Sequence, residues 1–144
     1  MEDAERYVTA FRNAYPTLVK WQRATGESES AAIFTKMGRR RLTLTDRSSK
    51  FTTRINTEVQ GTAGDIAKLS LLKIWEKINT DPDPGEARLI GTVHDEILLE
   101  VKDGTDEKWS DILKSVMEEA GSELIKSLPI IADVKSGKSW ADCK

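Results

Sequence analysis

The stretch RLIGTVHDEILLEV, residues 88–101, decides how this chain is read. Two runs of strand-favouring residues, RLIGTV and EILLEV, are separated only by His94 and Asp95, and two residues is the commonest hairpin loop. Both runs are apolar on both faces, the pattern of strands that lie centrally and are covered on each side. The loop chemistry is unusual. Two-residue loops favour Asn-Gly or Asp-Gly because their backbone calls for positive φ, and His-Asp is a poor choice on those grounds. Residues that break a local rule are more often functional. Aspartate also has an ordinary reading as a turn residue that satisfies its own backbone. The chemical reading is cation binding: hard ions such as Mg²⁺ take oxygen ligands, commonly one or two carboxylates plus substrate phosphates. Asp95, with Glu96 beside it, fits that role. Neighbours on a regular strand point to opposite faces, so both reach one ion only where the turn twists the backbone.

Upstream of the hairpin, RINTEVQGTAGD (54–65) opens a long helix expected over about residues 56–78. Val59, Ala63, Ile66, Ala67, Ser70, Leu71, Ile74 and Ile78 would form its nearly continuous inner stripe. Asn56 and Gln60 are four apart and so share a helical face, while Gly61, Ala63 and Gly64 clear side-chain bulk nearby. Amides both donate and accept, and the minor groove offers acceptors at equivalent places in every base pair. Such a pair can test duplex geometry while ignoring sequence. The alternative is that Asn56 caps the helix and the small residues permit tight helix packing.

Working further outward, apolar spacing predicts a helix over 2–13, a second over 17–24 with Leu18 and Trp21 inward, and two extended segments around Gly38. Arg39, Arg40 and Arg41 fall at that turn, either as phosphate contacts whose binding weakens with salt or as a solvated turn. A polar loop, DRSSK (46–50), precedes the long helix, and NTDPDPGEA (79–87) follows it as a solvated linker of little defined structure. A last helix is expected over 105–127 and a last strand at LPIIADV (128–134). Trp75, Trp109, Leu71 and Met117 are core or interface, mostly core. At 144 residues the chain has the length of one ordinary domain. No apolar run approaches the roughly 18 residues of a membrane span, so a cytoplasmic protein is expected, and the lone Cys143 reads as an incidental thiol. Net charge is −2, yet residues 1–54 hold 11 Lys/Arg against 6 Asp/Glu, and residues 55–101 hold 4 against 9. Basic flanks around an acidic centre suit cation binding beside a polyanion, though ordinary surfaces also divide this way.

INTEVQGTAGDIAK (55–68) followed by LIGTVHDEILLEV (89–101) resembles the paired signatures of family A DNA polymerases, in which an Asn-x-x-x-Gln-Gly helix precedes the "HDE" hairpin called motif C. Further similarity lies in YPTLVKW (15–21), GRRR (38–41) and LPIIADVKSGKSW (128–140), in the same order, so the resemblance covers nearly the whole chain. It implies that Asp95 ligates catalytic Mg²⁺, that Glu96 lies close to the metals and that His94 contacts the primer end. Asn56 and Gln60 would touch the minor groove. Many relatives carry Glu-Arg where this chain has Phe51 and Thr52, with Arg54 as a partial replacement, and a proline where it has Glu58. The short span from Gly38 to Asn56 points to a compact, phage-like branch, and the departures bear on duplex-contact details more than on metal binding.

Two-metal polymerisation needs a scaffold of carboxylates for both ions. No string here resembles motif A, which carries the family's other essential aspartate, or motif B, which carries its nucleotide-binding side chains. The expectation is therefore a C-terminal piece of a polymerase, inactive alone. Three readings stand: half of a split enzyme whose second polypeptide supplies motifs A and B, a truncated inactive remnant, or a non-catalytic duplex-binding module. Primer-template DNA and deoxynucleoside triphosphates are the implied ligands. The expected fold is α+β: an antiparallel palm-type sheet of about three strands, its motif C hairpin packed against long helices. Residues 1–55 would be the end of the fingers and 56–144 the palm.

Overall fold

A computed structural model describes residues 2–42 and 50–143. The elements run α1 (Glu2–Ala14), α2 (Pro16–Gly26), β1 (Ala32–Phe34), β2 (Arg40–Leu42), α3 (Lys50–Thr80), β3 (Ala87–Val93), β4 (Glu96–Val101) and α4 (Asp106–Leu124), closing with a 3-10 turn at Trp140–Cys143. The loop read at DRSSK lies outside the described residues except for Lys50, which begins α3. The chain divides into two compact units, residues 1–61 and 62–144, with the division inside α3.

In the first unit, Pro16 occupies the opening turn of α2, where its missing N–H costs nothing, and so separates α1 from α2. Leu18 is exposed rather than inward, while Trp21 is half-buried and donates from Nε1 to Glu58 Oε2 at 3.2 Å. β1 and β2 pair antiparallel, with Ile33 opposite Arg41 and Phe34 opposite Arg40, around a turn where Gly38 takes a φ of 79°. Two close approaches shape this unit. A Cβ on Gly26 would collide with the Phe51 ring, and one on Gly61 would stand 2.5 Å from Thr35 Cγ2.

The second unit has its core between hairpin and helices. Ile74 of α3, Ala87 and Ile97 of the hairpin, and Trp109, Leu113 and Val116 of α4 are buried together, with Leu71, Leu89, Leu99 and Met117 packed against them. Trp109 is therefore core, whereas Trp75 is 55% exposed. Lys73 ties α3 to α4 through Glu123 at 2.6 Å and Glu119 at 3.4 Å, and its hydrogen bond to Glu123 leads in raising its pKa.

Four expectations change. α3 starts at Lys50, six residues before the expected start at Asn56. Its buried positions include Arg54, Thr57, Thr62, Asp65 and Ser70, while Val59 and Ala63 are exposed. A stripe of polar residues can be buried because backbone acceptors serve it: Thr57 Oγ1 donates to Thr53 O at 2.6 Å and Ser70 Oγ to Ile66 O at 2.9 Å. Hairpin β3–β4 is not covered on both sides among the described residues, since Ile90 is 62% exposed and burial alternates along β3. LPIIADV forms no strand; both sheets are two-stranded. Instead Ile130 lies over Gly121 of α4, and Ala132 N–H donates to Glu118 Oε1 at 3.2 Å. The mixed α+β class stands, with two two-stranded sheets among the described residues in place of one sheet of about three strands.

Candidate functional site

The hairpin of the second unit carries the first group of candidates. Its loop is His94–Asp95, closed by the Val93–Glu96 pair. His94 takes a φ of 57°, and among the described residues it is the one non-glycine residue with positive φ. Positive φ at the first loop position is where a type II′ turn usually places glycine. A histidine held there carries backbone strain on the order of 1–3 kcal/mol, and such strain collects at functional sites. His94, Asp95 and Glu96 are all exposed, while Ile97, the next residue, is buried in the core. The tip is thus solvent-facing on an anchored base. Among the described residues neither Asp95 nor Glu96 forms an ion pair, so no described side chain neutralises their negative charge.

A second carboxylate group gives the contrast. Asp81, Asp83 and Glu86, between α3 and β3, have oxygens within 4.8 Å of one another. Lys108 already occupies that cluster, 2.9 Å from Asp81 and 2.7 Å from Glu86, and Trp109 Nε1 donates to Glu86 at 3.4 Å. The Lys108 hydrogen bond is the chief cause that lowers both the Asp81 and Glu86 pKa values, and the Glu86 bond leads in raising that of Lys108. This is an ion-pair node that fastens the α3–β3 connection to α4. The stretch expected to be a solvated linker is therefore tied down by it, a feature the acidic and proline-rich sequence did not disclose.

The first unit holds the remaining candidates. Asn56 and Gln60 are exposed on one face of α3, and Asn56 lies well inside the helix, which excludes the capping reading. Gly61 does not leave room for an outside body, because Thr35 of the same unit fills the space. Arg39 is exposed, yet its guanidinium Nη2 donates to Gly61 O at 2.9 Å. Arg40 and Arg41 are exposed on β2, and successive strand residues face opposite sides, so the three arginines do not form one patch. Arg54 is a correction: at 4% exposure it is buried, and its guanidinium donates to the Ser30 carbonyl, so it braces the approach to β1 and has no exposed surface to offer DNA.

Among the described residues no helix is long and apolar enough to cross a membrane. The sequence pattern described as DNA polymerase family A matches residues 1–142. DNA polymerase theta of Caenorhabditis elegans is 30% identical over 151 residues, covering 100% of this chain and 9% of that protein. DNA polymerase I of Borreliella burgdorferi is 28% identical over 98% of this chain and 16% of its own length, and the thermostable enzyme of Thermus filiformis is 28% identical over 99% and 17%. The chain thus spans less than a fifth of these relatives. Among solved structures, the POL domain of Pol1 from M. smegmatis, in complex with DNA primer-template and dNTP, superposes with a TM-score of 0.74 at 22% identity, over 83% of this chain and 22% of that one.

Proposed function

The chain belongs to DNA polymerase family A, and from that premise we propose that it supplies the motif C carboxylates and part of the primer-template grip of a template-directed DNA polymerase. The observation that carries the proposal is the strained His94–Asp95–Glu96 tip, whose two exposed carboxylates form no ion pair among the described residues.

The donor set fits Mg²⁺. Asp95 and Glu96 offer hard oxygens only, and Mg²⁺ is commonly held by one or two carboxylates with substrate phosphates completing its shell. When bound, the metal would lower the barrier by activating the primer hydroxyl and countering charge on the triphosphate. Asp95 would be the ligand of this chain, with Glu96 beside it. His94, at the exposed first loop position, would donate to the primer end. Asn56 and Gln60 would present amides to the minor groove of the duplex, and Arg40 and Arg41 would meet phosphates, which position the duplex without reading it. Residues 1–55 would then belong to the fingers and 56–144 to the palm. The other aspartate and the nucleotide-binding side chains would come from outside these 144 residues, in a second polypeptide or in further sequence of the same one.

Primer extension tests this, with Mg²⁺ and the four deoxynucleotides, comparing the chain alone with the chain plus a polypeptide carrying motifs A and B. Incorporation is expected only in the mixture. Asp95→Asn should abolish it while leaving folding and duplex binding intact, and Gln60→Ala should weaken primer-template engagement. Incorporation by the Asp95→Asn mixture at the wild-type rate would remove the metal assignment. No incorporation in a mixture that still binds duplex would leave a DNA-binding module.

A further inference from the structure

The hairpin that carries Asp95 is irregular at one position. Leu89 pairs with Leu99 and Gly91 with Leu98, so Ile90 is an extra residue on β3 with no partner on β4, and its side chain is 62% exposed. An extra residue of this kind bends its strand and increases the local right-handed twist.

Nothing in the pairing scheme requires it. Without Ile90, Leu89 would join Gly91 directly and the ladder would read Leu89–Leu99, Gly91–Leu98, Thr92–Ile97 and Val93–Glu96 in unbroken alternation. The loop would still be His94–Asp95, and the pairs nearest the core would keep their faces. Gly91 does not demand the bulge either, since it lacks positive φ and a Cβ there would meet nothing within 4 Å. The chain therefore interrupts a ladder it could have kept whole and leaves an isoleucine in water, four residues before His94. Bulges recur beside active sites, where they re-aim a side chain.

We propose that Ile90 is a positioning residue: its bulge supplies the extra twist that turns the adjacent carboxylates of Asp95 and Glu96 toward a single ion. On a regular strand neighbouring side chains point to opposite faces, and the added twist beneath the tip is what lets both reach one side. The inference rests on the reading of Asp95 as a metal ligand. It assigns the work to backbone geometry and none to the Ile90 side chain.

The test uses the full chain and Mn²⁺ as the probe, read by line broadening of the amides of residues 94–96 in NMR spectra, together with thermal unfolding. Wild type should show local, saturable broadening that Asp95→Asn removes. Deletion of Ile90 should keep the melting temperature at or above that of wild type while weakening Mn²⁺ binding roughly 10–100-fold, the usual cost of losing a group that orients a metal ligand. Ile90→Thr, which keeps the bulge, should bind within about twofold of wild type, since the orienting geometry is intact. Wild-type Mn²⁺ affinity in the deletion variant would overturn the proposal. So would its failure to fold, which would make the bulge structural, and so would equal weakening by Ile90→Thr. Broadening that survives Asp95→Asn would instead remove the metal reading on which the proposal rests.

Discussion

Gly121→Ala sets two effects of known size against each other. Position 121 lies in α4, near its C-terminal end, where replacing glycine by alanine gains about 1 kcal/mol of helix propensity. Against that, the new Cβ would stand 2.6 Å from Cβ, Cγ1 and Cγ2 of Ile130. These atoms sit at the root of a branched side chain, so relief requires the backbone of the 128–134 segment to lift. Overpacking of this kind costs about 1–3 kcal/mol. Lifting also strains the bond from Ala132 N–H to Glu118, 3.2 Å long, and a hydrogen bond to a charged group contributes about 1.5–3 kcal/mol when lost outright. The clash outweighs the propensity, with a net loss of about 1–2 kcal/mol and a fall in melting temperature of roughly 3–8 °C. Thermal unfolding followed by tryptophan fluorescence measures it, because Trp109 is buried in the same unit. Adding Ile130→Ala should recover the helix gain, so the two substitutions should couple rather than add. A rise in melting temperature for Gly121→Ala alone would refute the close packing of this segment on α4.

Trp109→Ala should cost about 3–5 kcal/mol in urea unfolding, against about 0.5 kcal/mol or less for the exposed Trp75→Ala. Asp81 and Glu86 have lowered folded-state pKa values, so their stabilisation is complete above the ordinary carboxylate range near pH 4 and disappears as pH falls through the lowered values. Lys108 is raised, so its part is complete below the ordinary lysine range and is lost only as pH rises beyond it. Wild type should therefore melt above Lys108→Met at neutral pH, with the gap closing on acidification; a constant gap down to strong acid would contradict the ion-pair node. Arg39→Ala should lower stability measurably in thermal melts because Gly61 O loses its side-chain donor, while Arg40→Ala and Arg41→Ala should leave melting unchanged and each reduce the salt slope of duplex binding by about one.

Much of this fold was legible in residues 88–101 because a two-residue loop admits little ambiguity: the strands read at 88–93 and 96–101 are observed at Ala87–Val93 and Glu96–Val101. α4 was legible for a similar reason, its apolar spacing being strong. The rest escaped where polar groups are satisfied by the chain itself. Ser70 falls in the expected inner stripe and is buried there, but Thr57 falls outside that stripe, because a sequence does not show that a carbonyl one turn back will accept its hydroxyl. Arg54 is expected to contact DNA in place of the arginine that relatives carry nearby, and the string does not show that its side chain turns inward to the Ser30 carbonyl. LPIIADV has the composition of a strand, yet what it meets is the bare backbone at Gly121 and the Glu118 carboxylate. As for the candidate site, the HDE string identified the tip residues, but the bulge at Ile90 leaves no mark in composition and appears only in the pairing.

His94 is the single histidine in these 144 residues, and it sits in the hairpin loop. The molecule therefore carries a built-in spectroscopic beacon at the point of greatest interest. Its imidazole Cε1–H resonance is a lone histidine signal and needs no sequential assignment. Following that one line through additions of acid, divalent ion, nucleotide and duplex would report the electrostatic potential and occupancy of the tip without labels or mutations.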